Sequence, residues 1–249
     1  MSYNKMAAVY DLLMEDAPYD KWQVFTEGVF NIYQNKINEV VDLGCGTGQI
    51  TCRLAKAGYN LVGIDLAADM LTHAAKRADE EQLKIQWVEQ DLRELEIFDQ
   101  FDAAISYCDV INYITTEAEL LKVFNNTYQL LQSEGLFIFD VHALEYVESN
   151  LKDQIFSEMY EDMGYVWFCE AGDHPGEVFH DLTFFIQDQT QYERFDETHH
   201  QRTFPVATYQ KLLEKSGFRI LNLYADFSLE PIELEQTNNA ERLFFVCQK

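Results

Sequence analysis

The residues best placed to do chemistry begin at Val40-Val41-Asp42-Leu43-Gly44-Cys45-Gly46-Thr47-Gly48, where an apolar run ends in three alternating glycines. Glycine leaves the backbone bare, so a ligand can lie against it, and it turns tightly at positive φ. A dinucleotide fingerprint is not met, because its last position falls on Gln49 or Thr51 instead of Gly or Ala. No Gly-Lys-Ser/Thr follows, which excludes a P-loop. Asp42 beside the loop would repel a phosphate and suits a ligand with a positive ammonium or sulfonium. Two further acids, Asp65 and Asp91, each follow an apolar run, where each could grip a ligand or cap a helix. His142 is a candidate proton acceptor or a hydrogen-bonded structural histidine. Asp109 and Asn112 could contact a substrate or cap the next helix. Arg202 could pair with a substrate carboxylate or balance the acids around it. His199 and His200 are adjacent on a predicted strand, point to opposite faces, and so cannot share a metal.

These residues need a scaffold, and the chain supplies one. Between residues 37 and 141, apolar runs at Ile37–Leu43, Asn60–Asp65, Lys84–Glu89, Phe101–Tyr107 and Leu136–Val141 alternate with segments of helical period. Near-continuous apolar runs suit strands buried on both faces, as in a parallel sheet. Ligands in such sheets bind beyond the C-terminal strand ends. After Val141 the rhythm breaks. Gly164–Ala171, Glu177–Gln187 and Gln191–Thr203 read as antiparallel strands, then a helix resumes at Val206–Ser216, followed by strands at Phe218–Ala225 and Glu241–Gln248. The expected organisation is a helical lead over 1–36, an α/β core over 37–142 and 205–249, and a β-rich insertion over 143–204.

The glycine stretch, with the acids that follow it, resembles the first motif of the class I S-adenosylmethionine-dependent methyltransferases. The resemblance covers about residues 37–141. It implies a Rossmann-like, mostly parallel sheet of seven strands with helices on both faces, and S-adenosylmethionine as cofactor. By the same resemblance, Asp42, Gly44, Cys45 and Gly46 border the cofactor, and Asp65, with Leu66, accepts the ribose hydroxyls. Met70 packs on the adenine, Asp91 with Gln90 and Leu92 meets its edge, and Ser106 and Cys108 pass beside the methionine moiety. Met70 read alone is more often a core residue than a cofactor contact. The aromatic-bearing lead (Tyr3, Tyr10, Tyr19, Trp22) resembles the family's lid helices, with Tyr10 over the cofactor, and also reads as a helix docked for packing. The insertion resembles the β-cap over the site in small-molecule members.

Charge narrows the acceptor. The 249 residues hold 43 Asp and Glu against 18 Lys and Arg, a net of −25. Proteins that grip nucleic acid neutralise phosphates with Lys and Arg, so nucleic acid is an unfavourable partner here. No Asn/Asp/Ser-Pro-Pro-aromatic motif and no Pro-Cys pair occurs, which removes two nucleic-acid-modifying branches. Five scattered cysteines without a C-x-x-C pair fit reduced thiols and no structural metal. The start lacks a cationic run before an apolar one, and no apolar stretch reaches roughly 18 residues, so a cytoplasmic location with no membrane span is expected. The leading expectation is methyl transfer to N or O of a small molecule. The alternatives are a modifier of tRNA or ribosomal components, and a non-catalytic cofactor-binding protein.

Overall fold

A computed structural model describes residues 17–33, 36–96, 100–188 and 191–249. Helix α1 (Tyr19–Tyr33) leads into β1 (Glu39–Leu43), α2 (Gln49–Lys56), β2 (Asn60–Asp65), α3 (Ala68–Glu80) and β3 (Gln86–Glu89). Then come β4 (Phe101–Ser106), α4 (Glu117–Leu130) and β5 (Leu131–His142). Strands β6 (Gln154–Met159), β7 (Met163–Ala171), β8 (Glu177–Asp188) and β9 (Gln191–Arg202) follow, before α5 (Val206–Lys215), β10 (Arg219–Ala225) and β11 (Arg242–Gln248).

Seven strands form one sheet in the order β10-β11-β5-β4-β1-β2-β3, and β11 runs against both of its neighbours. The expected Rossmann-like, mostly parallel α/β sheet is present. Its two faces are packed separately because successive side chains along a strand point to opposite sides. Phe137, Phe139 and Val141 of β5 join Leu120, Phe124, Tyr209 and Leu213 from α4 and α5 on one face. Leu136 and Ile138 join Trp22, Phe25, Val29 and Leu54 from α1 and α2 on the other. Phe139 and Phe245 stack across the β5–β11 pair with centroids 4.8 Å apart.

The insertion forms a second, antiparallel sheet in the order β6-β7-β8-β9. Three of its strands were expected from the sequence; β6 was not. Ile155 and Met159 lie on it exposed, so it carries no buried stripe to signal a strand. β5 also starts five residues earlier than the predicted Leu136, directly after α4, where residues 132–134 are exposed and polar and hide the strand. One side of this sheet gathers Met163, Phe184, Tyr165 and Leu182 with Met70 from α3. The second sheet is thereby packed against the first domain above the glycine loop. Tyr3 and Tyr10 of the helical lead lie outside the described residues.

Candidate active site

β1 delivers Asp42 and the loop to the C-terminal edge of the sheet, where Gly44 and Gly46 take φ of +79° and +53°. A Cβ on Gly44 would come 2.4 Å from the Val110 side chain, whereas one on Gly46 would meet no protein atom within 4 Å. Gly46 therefore lies bare against open space. That space is a cavity of about 860 Å³, roofed by the second sheet. Asp42, Gly44, Cys45, Gly46, Asp65, Leu66, Met70, Gln90, Asp91, Leu92, Cys108 and His142 all line it.

Ser106 does not. Its hydroxyl is fully buried and donates to the Leu43 carbonyl at 2.8 Å, tying β4 to β1. Expected from the sequence beside the ligand, Ser106 turns its side chain inward, and at the end of β4 the cavity is lined by Tyr107 and Cys108. Tyr10, like Tyr3, is not among the described residues.

Each acid is held by its surroundings. Asp42 is buried and accepts the Thr51 hydroxyl at 2.6 Å; burial raises its carboxyl to about 7, with Asp65 adding to the rise. Asp65 accepts the amides of Gly46 at 2.8 Å and Ala67 at 2.9 Å, locking the two strand-end loops together. Burial nonetheless raises its pKa, since the amides recover only part of the lost hydration. Asp91 accepts the amide of Arg93 at the start of a short helical turn and is gripped by the Arg93 guanidinium at 2.6 Å, which lowers its pKa. Asp91 thus caps a turn and also lines the cavity. The Gln90 side chain accepts the amide of Glu96 at 3.1 Å. Burial keeps the thiols of Cys45 and Cys108 protonated, well above the usual range.

At the other end of the cavity, β4 gives way to Cys108 and Asp109, consecutive non-glycine residues with φ of +56° and +53°. Such backbone costs of order 1–3 kcal/mol per residue and persists only where its surroundings hold it. The hold comes from β5 and β11. The amide of Asp109 donates to Asp140 at 2.8 Å. Arg242 lies 3.1 Å from Asp140 and 3.2 Å from Asp109, and the Trp22 indole donates to Asp140 at 2.7 Å. Gln201 donates to Asp109 at 2.8 Å and meets His180 at 3.1 Å, and His180 accepts the Trp167 indole N–H at 3.1 Å. This chain of bonds links three strands of the second sheet to the floor of the cavity. None of Asp140, Arg242, Gln201, His180 or Trp167 was singled out in the sequence. One signal was available: Asp140 interrupts the apolar run Phe137-Ile138-Phe139, and a charge inside a buried strand requires a partner.

His142 closes this cluster. Its Nε2 is 3.6 Å from Asp109, its ring stacks on Tyr146 with centroids 5.6 Å apart, and its buried Nδ1 has no hydrogen-bond partner. Burial lowers its pKa despite Asp109, so the neutral ring prevails at neutral pH. Asp109 itself stays below the usual carboxylate range, because His142 and Arg242 outweigh its burial. Asn112 has a structural task, accepting the His142 amide at 3.0 Å and donating to the Arg202 carbonyl at 3.2 Å. Arg202 lies over Phe204 at 4.5 Å and is not part of the cavity wall. His199 lines the cavity, while His200 bonds Glu177 at 2.9 Å on the opposite face. Among the described residues no group of three or more His, Cys, Asp or Glu could hold a metal, and no helix is long and apolar enough to cross a membrane.

A bare-backbone loop at a parallel-sheet edge, an acid ending β2 and a roofed cavity form one constellation, and known proteins resemble the chain that carries it. Residues 40–135 match a methyltransferase-domain family profile. A methyltransferase-family protein of Bacillus subtilis (strain 168), YqeM, is 39% identical over 100% of this chain and 98% of its own. The chain belongs to the class I S-adenosylmethionine-dependent methyltransferases. A crystal structure of an S-adenosylmethionine-dependent methyltransferase from Clostridium acetobutylicum ATCC 824 is 28% identical with a TM-score of 0.89, covering 100% of this chain and 99% of that one. A glycine/sarcosine N-methyltransferase of Aphanothece halophytica is 26% identical over 81% of this chain and 75% of its own. The residues present fit the family's cofactor: Gly46 leaves the open cradle that a side chain would fill, and Asp42 and Asp65 put carboxyl groups beside it, whose charged forms a bound cation favours.

Proposed function

We propose that this methyltransferase transfers a methyl group to nitrogen or oxygen of a small molecule bound beneath the second sheet. The observation that carries the reading is the roof. Tyr165, Trp167, Leu182 and His199 of β7–β9 line the same cavity as the glycine loop, so the acceptor end is covered. A site walled on that side favours a compact molecule over a duplex or a folded protein, and the net charge of −25 opposes a nucleic acid further. A cavity of about 860 Å³ lies at the upper end of ordinary ligand sites and has room for two ligands end to end. In this reading the insertion over 143–204 is a substrate cap, the lead over 1–36 a lid whose helix α1 is docked on the sheet with Tyr19 at the cavity wall, and the enzyme works in the cytoplasm.

Bound S-adenosylmethionine supplies an electrophilic methyl group on a positively charged sulfur. The chain's own residues do the rest. Gly44, Cys45 and Gly46 offer backbone, Asp65 accepts ribose hydroxyls with Leu66 beside it, and Met70, Gln90, Asp91 and Leu92 enclose the base. Asp42 and Cys108 border the methionine end. His142, which lines the cavity, takes a proton from an acceptor that arrives protonated. Much of the rate enhancement then comes from orienting the pair and excluding water. The name of the Aphanothece halophytica relative supports nitrogen as the receiving atom.

A thermal-shift titration tests the cofactor half. S-adenosylmethionine or S-adenosylhomocysteine should raise Tm in a saturable way, and NAD should not. A response to NAD alone would refute the reading. Methyl transfer only to tRNA or ribosomal material would refute the small-molecule half, and tight cofactor binding without any turnover would mark a non-catalytic protein.

A further inference from the structure

We infer that Gln201 is a positioning residue: carried on the second sheet, it holds one oxygen of Asp109 and so keeps His142 ready to accept a proton while that sheet is seated. This rests on the function proposed above, in which His142 is the proton acceptor.

The register of the second sheet sets three side chains on one diagonal. Cys169 of β7 stands opposite His180 of β8, and His180 stands opposite His199 of β9. Trp167 and Gln201 lie two residues from Cys169 and His199, so they share the face of His180, and all three line the cavity. Donor and acceptor chemistry then fixes the direction of each bond. An indole N–H can only donate, so His180 Nδ1 accepts it at 3.1 Å. The Cys169 thiol stands 3.0 Å from the same nitrogen. A neutral ring that accepts at Nδ1 carries its hydrogen on Nε2, and that N–H donates to Gln201 Oε1 at 3.1 Å. With its oxygen taken, Gln201 turns its amide N–H to Asp109, where Oδ2 accepts it at 2.8 Å. Burial lowers the pKa of His180, which keeps the ring neutral and the chain of bonds intact.

The far end of this chain reaches His142. Asp109 Oδ1 is 3.2 Å from Arg242 and 3.6 Å from His142 Nε2, so the two oxygens of the carboxylate have separate partners. A donor on Oδ2 stabilises the charged carboxylate and weakens its demand for a proton held at His142. Burial is the strongest influence on the His142 ring and keeps it neutral. Asp109, after β4, and Asp140, on β5, draw a proton to it, while Arg242, on β11, and His180, on β8, oppose one. The Tyr146 ring stacks on it without charge. Gln201 joins the opposing side with a dipole alone. Without its amide, Oδ2 loses a donor, Asp109 pulls harder, and His142 keeps its proton to higher pH.

The test needs no acceptor: NMR titration of the whole protein, labelled with ¹⁵N at its histidines and saturated with S-adenosylhomocysteine. His142→Asn assigns the His142 signal. In the unaltered protein His180 should show the tautomer with hydrogen on Nε2. Gln201→Met keeps the length of the side chain and removes the amide; it should raise the His142 midpoint by roughly 0.5–1 pH unit, part of what a hydrogen bond to a charged group is worth. Gln201→Leu should do the same. Phe184→Leu loosens the packing of the second sheet near Met70 without touching Asp109, and should leave the midpoint in place. Hydrogen on Nδ1 of His180, an unmoved midpoint in the Gln201 variants, or an equal rise in Phe184→Leu each overturns the inference. A His142→Asn enzyme with an unaltered pH profile of turnover would instead sink the role of His142 proposed above, and would leave these titrations as they are.

Discussion

His142 and Asp42 make opposite demands on a proton, and both can be measured. The ring of His142 has a pKa below its ordinary 6.5, so its base form is complete above that pH and disappears below the lowered value. The turnover of the enzyme should rise with pH on an acid limb lying below 6.5 and then level off. His142→Asn should cut kcat by about 10²–10⁴-fold and erase that limb, while S-adenosylhomocysteine still raises Tm. An unchanged pH profile would show that His142 is only structural. Asp42 titrates near 7, so at neutral pH its carboxyl is partly protonated. A cation docked beside it lowers that pKa and expels the proton. Calorimetry in buffers of different ionisation enthalpy should therefore show net proton release on S-adenosylmethionine binding near pH 7, and none for Asp42→Asn. The same shift makes Asp42 a stability liability as pH rises from about 4 to 7, because the folded state there holds a proton that the unfolded chain has lost.

Among elements, the glycine loop and the braced end of β4 carry the sharpest consequences. Gly44→Ala places a methyl group 2.4 Å from Val110 at a φ of +79° and should unfold the protein at a markedly lower temperature. Gly46→Ala meets open space at φ +53°, costs only the backbone term of about 1–2 kcal/mol, and should fold yet lose its response to S-adenosylhomocysteine. Equal damage at both positions would contradict the assignment of Gly46 to the ligand. Arg242→Met leaves Asp109 and Asp140 without their cation, and should cost about 3–5 kcal/mol by denaturant unfolding. The five parallel strands and the glycine loop were legible in sequence because apolar runs and chemistry-bearing residues there follow one another at successive strand ends. β6 was not, since Ile155 and Met159 face solvent. The brace was not either: Asp109 and Arg242 are 133 residues apart, and only the fold brings them together. Ser106 shows the converse, a motif position whose side chain the pleat turns inward.

At the scale of the whole molecule, two sheets divide the work. The seven-stranded sheet presents backbone and acids along one edge, and the four-stranded sheet covers that edge while bonding to its floor through Trp167, His180 and Gln201. A net charge of −25 gives this surface a field that attracts cations and repels polyanions. The decisive measurement is the destination of a labelled methyl group when the protein is incubated with methyl-labelled S-adenosylmethionine and a total extract separated afterwards by size. Label should appear in the low-molecular-mass fraction and disappear in the Gly46→Ala protein. Label confined to RNA or to protein would contradict it.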